Sequence, residues 1–228
     1  MRKTHPEEIE QLYEFTRRHY VEYYDVQTEL VDHLASAMDA NWEMEPGLSF
    51  EENLQQEFRK FGVFGFSQVV DKKRRALEKR YFRLIWKELK LQLGNPRSLI
   101  FVTGMFSAIM ALLKLDMELL NLSLVSLYFC LLIYLMIKTS RELKRKKKSR
   151  QKIYLLEYLI LNTGTYFSVS YLPFQLLYYS GFHYTSFWAQ VLISLVFTFL
   201  AFVNYICFYV LPKRRGQILK EQYPELNF

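Results

Sequence analysis

KTSRELKRKKKSRQK, residues 138–152, carries nine basic side chains and one acidic one, Glu142. It separates two strongly apolar regions. Cytoplasmic loops of membrane proteins hold an excess of Lys and Arg, and short loops close to the bilayer set the orientation of the chain. The stretch therefore reads as a cytoplasmic loop. Each flanking apolar region must then leave the cytoplasm and return within its own length. The expectation is an all-α protein with four transmembrane helices in two hairpins and both chain ends on the cytoplasmic side.

A spanning helix needs about 20 residues. The first hairpin, 98–137, divides into spans at 98–115 and 119–137, and the second, 153–211, into spans at 153–179 and 187–210. Lys213, Arg214 and Arg215 open a basic tail, 212–228, on the same side as the central loop. The far-side turns carry only Lys114, Asp116, Glu118 and His183. Turns this short leave little outside to recognise a protein or a solute, so inputs are expected from the bilayer, the helix bundle or the cytoplasm.

The 228 residues have a net charge of +7 and are 51% hydrophobic, but the charge falls almost entirely before Ser98, in the central loop and after Pro212. Basic charge flanking apolar segments points to anionic lipid headgroups. No nucleic-acid-reading motif accompanies it, so nucleic acid is not expected as a partner. The opening MRKTHPEEIE has no apolar run and reads as no signal peptide. Cys130 and Cys207 both fall in spans, where thiols behave as small apolar groups. Neither disulfide nor metal is expected from them.

Residues 1–65 read as a small soluble head of three helices. Pro6, Glu7 and Glu8 look like a first turn, opening a helix over about 6–21. Asp25 is placed to cap a second helix in which Val26, Leu30, Leu34, Met38 and Trp42 recur at helical spacing. Ser49 and Glu52 form a capping box for a third, from about 50 to 61, which Gly62 can close in the left-handed conformation. A unit this small buries little apolar surface, so it is expected to lean on the next helix, a partner or a second copy of itself. Glu29 and His33 lie one turn apart and could supply two metal ligands. A complete site needs more, and no Cys/His cluster supplies them, so His33 reads as a boundary residue beside Glu29.

The order Glu29-Leu30-x-x-His33-Leu34, then Gly47-x-Ser49-x-Glu51-Glu52, then Phe61-Gly62 resembles the HAAS and permease-prefix family of small helical domains. The resemblance covers about residues 10–65, and the sequence departs from the pattern at Asn53, where the family usually has a small apolar residue. It implies a cytoplasmic interaction or signalling module ahead of membrane helices. It also implies a bacterial inner-membrane setting, since such modules occur in membrane proteins paired with PadR-type repressors and as prefixes to ABC-type permeases.

Residues 66–97 read as a connector, helical from 66 to 93 and broken by Gly94, Asn95 and Pro96. Lys72, Lys73, Arg74, Arg75, Lys79 and Arg80 interleave with apolar positions, and Trp86 is a natural interfacial anchor. Such a helix suits an anionic membrane surface.

The third span is the most polar. At 100° per residue, Glu157, Gly164, Ser168, Tyr171 and Gln175 fall within about 40° of one line, and Pro173 can kink the helix. The face serves either as a ligand or proton path centred on Glu157, or as interhelical packing through small and polar residues. Packing is the weightier reading, with Glu157 near the cytoplasmic boundary and within reach of Lys152 or a C-terminal base. Asn204 is a candidate partner by residue type. The sequence contains no HExxH, P-loop, GxSxG or dinucleotide fingerprint, so neither enzyme nor cofactor is signalled. The leading expectation is an inner-membrane protein acting by interaction, its head binding a regulator, a membrane subunit or a second copy. The alternative is a small transporter or transporter subunit that uses the polar face of the third span.

Overall fold

The computed structural model describes residues 2–115, 118–149, 151–162, 170, 171, 175 and 186–224, with the side chains of 118–122 and 124 left out. Among these residues the regular secondary structure is all helical, with no strand. The helices are α1 (Pro6–Arg18), α2 (Tyr24–Met44), α3 (Phe50–Arg59), α4 (Ser67–Leu93), α5 (Pro96–Lys114), α6 (Glu118–Lys148), α7 (Leu155–Leu161), α8 (Phe187–Tyr205) and α9 (Leu211–Gln222). A π-helical turn, Ile206–Val210, joins α8 to α9. Two compact units result: residues 1–79 with 149–156, and residues 80–148 with 157–228.

In the first unit α1 and α3 pack on α2. The core is the stripe expected from helical spacing: Val26, Leu30, Leu34, Met38 and Trp42 of α2 are buried, as is Leu12 of α1. At the entry to α1, the Glu8 carboxylate reaches back to accept from the His5 backbone N–H at 2.8 Å, while Pro6 fills the position where an N–H has no helical partner. α1 stops at Arg18, short of the expected end at about 21. Tyr20 adopts φ +64°, its N–H bonds to Arg17 O at 3.1 Å, and the chain turns so that Val21 is buried. Left-handed closure is a glycine role by preference, which is why a tyrosine does not announce it.

Asp25 does not cap α2. It lies inside the first turn of that helix, and Tyr23 precedes it as the N-cap without a side-chain bond. The Ser49–Glu52 box is present as read, with Ser49 Oγ accepting from Glu52 N at 3.3 Å and Glu52 Oε2 accepting from Ser49 N at 3.2 Å. Gly62 closes the α3 segment at φ +72°.

In the second unit, α5 is apolar yet has no buried residue, and it packs along α8. Two helices are long and apolar enough to cross a membrane: α5, with 19 residues, and the continuous 36-residue run Phe187–Gln222. This differs from the expected four among the described residues. The expected third span lies mostly outside them, with α7 covering only its first turns. The expected second span falls within α6, a helix of 31 residues.

Residues 138–148, read as loop, are helical, because α6 continues through the charge run to Lys148. Lys and Arg are good helix formers, and basic side chains favour the negative C-terminal end of a helix. Density of charge therefore marks the end of α6 and does not break it. The tail is likewise helical as far as Gln222. Pro212 removes a backbone donor within a long helix. Just before it the ladder shifts, and Leu211 N–H bonds to Ile206 O, five residues back, a π turn of the kind that accommodates such interruptions.

Candidate functional site

The family-pattern residues of the head divide into core and surface. Leu30 and Leu34 are buried. Glu29 pairs with Lys73 across to α4, and the exposed His33 ring meets Phe61 edge-on, 6.1 Å between centroids. Glu29 and His33 thus have separate partners, and among the described residues no group of three His, Cys, Asp or Glu side chains is placed to hold a metal. Gly47 is exposed, with open space where a Cβ would project.

Asn53, the departure from the family pattern, is fully buried and satisfied. It donates to Met38 O at 2.9 Å and accepts from Asn41 at 2.7 Å, and Asn41 also donates to the buried Glu57 at 2.6 Å. An aromatic cluster that the sequence did not reveal lies at the exit of α3. Phe15, His19, Phe58, Phe61 and Phe66 meet edge-on or tilted at centroid distances of 4.2 to 6.1 Å. It sits beneath the 62–65 loop, whose glycines adopt φ +72° and +51°. At the loop tip Val63 is 99% and Phe64 68% exposed. Exposed apolar side chains held by a rigid turn are a feature of contact surfaces.

The most informative feature of the head is what packs on the start of α2. Residues 151–155, read from the sequence as the end of the central loop (to 152) and the start of the third span (from 153), belong to the head unit. Tyr24 N–H donates to Ile153 O at 2.9 Å, Asp25 Oδ1 accepts from Leu155 N at 2.9 Å, and the Tyr24 and Tyr154 rings meet edge-on at 5.8 Å. The Lys152 ammonium lies 4.0 Å from the Tyr24 ring centroid. Contact with Lys152 holds the Tyr24 phenol below its usual pKa, and the same contact holds Lys152 above its own. Burial moves neighbouring Tyr13 the other way, upward.

α4 buries one apolar stripe and leaves aromatic and basic side chains together on its exposed side. Leu77, Tyr81, Ile85 and Leu89 form a buried stripe at helical spacing. Phe82 and Trp86, one turn apart, stand about half exposed beside Arg75, Lys79 and Lys90. Of the six basic positions expected to face lipid, Lys73 is taken by Glu29, Arg74 lies 3.9 Å from Glu78, and Arg80 is half-buried. Lys72, Arg75 and Lys79 are exposed.

In the second unit the first residue of the expected polar face, Glu157, is 1% exposed and lies in an ion cluster. Lys146 pairs with it directly, Arg215 Nε lies 3.6 Å from the same oxygen, and Arg215 also pairs with Glu142. Two carboxylates thus face two cations contributed by α6 and α9. Its partners are Lys146 and a C-terminal base, while Lys152 is occupied at Tyr24. Beside this cluster Arg214 pairs with the buried Glu88 of α4.

The other polar-face residues do not gather around Glu157 among the described residues. Gly164, Ser168 and Pro173 lie outside them. Tyr171 is part exposed and meets Phe129 at 5.6 Å, and Gln175 is half-buried. Asn204 bonds neighbours other than Glu157, donating to Tyr128 Oη and to Ser170 Oγ, each at 2.7 Å. These bonds tie α8 to α6 and to Ser170 through polar side chains. Cys130 is exposed and Cys207 buried, and both are free thiols.

Comparison with known proteins returned no matching family model, no matching curated protein and no matching solved structure.

Proposed function

We propose that the chain is a four-span protein of the bacterial inner membrane, with both termini cytoplasmic, that acts by interaction. The head receives a protein partner, and its grip on residues 151–155 couples that event to the chain joining the two membrane hairpins. The observation that carries this reading is the docking of 151–155 on Tyr24 and Asp25. One backbone–backbone hydrogen bond and one amide–carboxylate bond tie the start of α2 to this segment, so a movement of either is transmitted to the other. The resemblance of residues 10–65 to the HAAS and permease-prefix family supports the same role.

The membrane reading is supported by surface chemistry. Trp188, Leu192, Leu195 and Phe199 form an exposed stripe on α8, and Ile100 and Phe101 stand exposed on α5. Apolar patches of this kind are rare on soluble monomers. The basic runs that close α6 and fill α9 satisfy the positive-inside rule on one side of the bilayer. The exposed aromatic and basic face of α4 suits a surface of anionic lipid.

The Val63–Phe64 loop is the contact surface assigned to the partner. Affinity capture of the detergent-solubilised full-length protein from its native membrane, run beside a Val63→Ser/Phe64→Ser variant, tests this. A specific partner, or a second copy of the chain, that is lost in the variant supports the reading. Identical captured sets from both proteins overturn it.

A further inference from the structure

A groove of about 630 Å³ runs along the last helical turns of the second unit, lined by Tyr205, Tyr209, Lys213, Lys220, Gln92 and Gly216 among others. One end is aromatic, with the Tyr205 and Tyr209 rings stacked at 5.5 Å, and the other is cationic. The charges of this helix are unequally used. Arg214 is neutralised by Glu88, and Arg215 by Glu142 and Glu157. Lys213 and Lys220 form no ion pair among the described residues, and Lys213 instead lies 5.7 Å from the Tyr209 ring centroid. Seven residues apart, they share a helix face about 10 Å apart along the axis. Gly216 lies between them, and a Cβ there would meet nothing within 4 Å. Glycine in a helix costs about 1 kcal/mol relative to alanine, and no packing contact requires it here. Its effect is to leave the groove floor open.

We propose that this groove binds the headgroup of an anionic phospholipid. Lys213 and Lys220 hold the phosphodiester, while Tyr205 and Val210 flank the start of the acyl chains. The site follows from the arrangement of charge, because Glu88, Glu142 and Glu157 engage the two arginines of α9 and leave its two lysines bracketing a cavity at the end of an apolar helix. Basic pockets beside transmembrane helices recognise such headgroups, and tyrosine suits the level where chain meets headgroup. The proposal rests on the reading of Phe187–Gln222 as a membrane-crossing helix. It adds one defined site to the general affinity of α4 for a charged surface.

The test uses the full-length protein in neutral detergent, titrated with phosphatidylglycerol, phosphatidylcholine or inorganic phosphate and read as bound adducts by native mass spectrometry. The expected result is a phosphatidylglycerol adduct retained against phosphatidylcholine and against millimolar phosphate. Lys213→Gln/Lys220→Gln should weaken it about tenfold or more, and Lys3→Gln/Arg59→Gln in the head should leave it in place. An undiminished adduct in the first variant, equal capture of phosphatidylcholine, or displacement by inorganic phosphate overturns the lipid site. Carbonate extraction of native membranes is run in parallel. If carbonate releases the wild-type protein, the spanning reading fails, whereas resistant protein with an unselective adduct means that the groove alone has failed.

Discussion

Asp25, in the first turn of α2, accepts a hydrogen bond from the backbone N–H of Leu155, the first residue of α7, at 2.9 Å and across 130 positions of sequence. The aspartate thereby caps a helix other than its own. The first amides of a helix lack internal partners, and a carboxylate there also meets the positive end of the helix dipole.

Replacing Asp25 with alanine should therefore loosen α7 rather than α2. The expected cost is about 1 kcal/mol, the usual value of an N-cap. Hydrogen exchange on the full-length protein should show faster exchange at residues 153–157, with 26–40 unchanged. Faster exchange throughout α2 instead would mean that Asp25 stabilises its own helix.

Glu157 is held by Lys146 and Arg215 with almost no access to solvent. Glu157→Gln leaves two cations facing a neutral amide, and breaking a buried pair from one side costs about 3–5 kcal/mol. Thermal unfolding of the solubilised variant should show a large loss, partly recovered when Arg215→Gln is added. A variant as stable as wild type would remove the cluster from the account of the fold.

Asn53 tests how the head accommodates its departure from the family pattern. Asn53→Ala strips a partner from both Met38 O and Asn41, and a buried group left unsatisfied costs about 1–3 kcal/mol. Combining it with Asn41→Leu should be milder than the sum of the single changes, because the side-chain partners are then removed together. Additive losses would show that the two asparagines act independently.

The Ser49–Glu52 box gives the head a pH dependence of known sign. Hydrogen bonds from the Ser49 hydroxyl and backbone depress the Glu52 pKa below its reference of 4.5. A depressed carboxylate contributes stability that is complete above the unfolded value and is lost as pH falls through the folded one. Ser49→Ala should therefore weaken the protein at pH 6 and flatten its acid dependence below pH about 4.5. The measurement is the difference in unfolding midpoint between variant and wild type across that range, and a constant difference would contradict the assignment.

Much of the head could be read in advance because its signals are local. The α2 stripe, the Ser49–Glu52 box, Gly62 and the span of α4 each rest on residues within a few turns of one another. Asp25 carried the right chemistry and the wrong address, since its partner is set by the way 151–155 folds back and not by its neighbours. The charge run at 144–148 hid a helix because apolar periodicity, the usual sign of one, is absent where five successive residues are basic. Glu157 was placed near a C-terminal base, but its choice of Lys146 follows from the continuation of α6. The aromatic cluster draws on α1, α3 and the turn before α4, so no single stretch of sequence displays it.

The π turn at Ile206–Val210 has a consequence for rotational phase. Each residue advances a helix by about 100°, so one additional residue in a wide turn re-indexes everything after it by that angle. Arg214 and Arg215 meet Glu88 and Glu157 in this re-indexed frame. Deleting Phe208 should remove the wide turn and keep both guanidinium groups on their carboxylates, whereas closing the turn to plain α-helix without a deletion would swing them about 100° away. The turn is thus a gear of one tooth, setting which side of the last helix presents its arginines inward and its lysines outward.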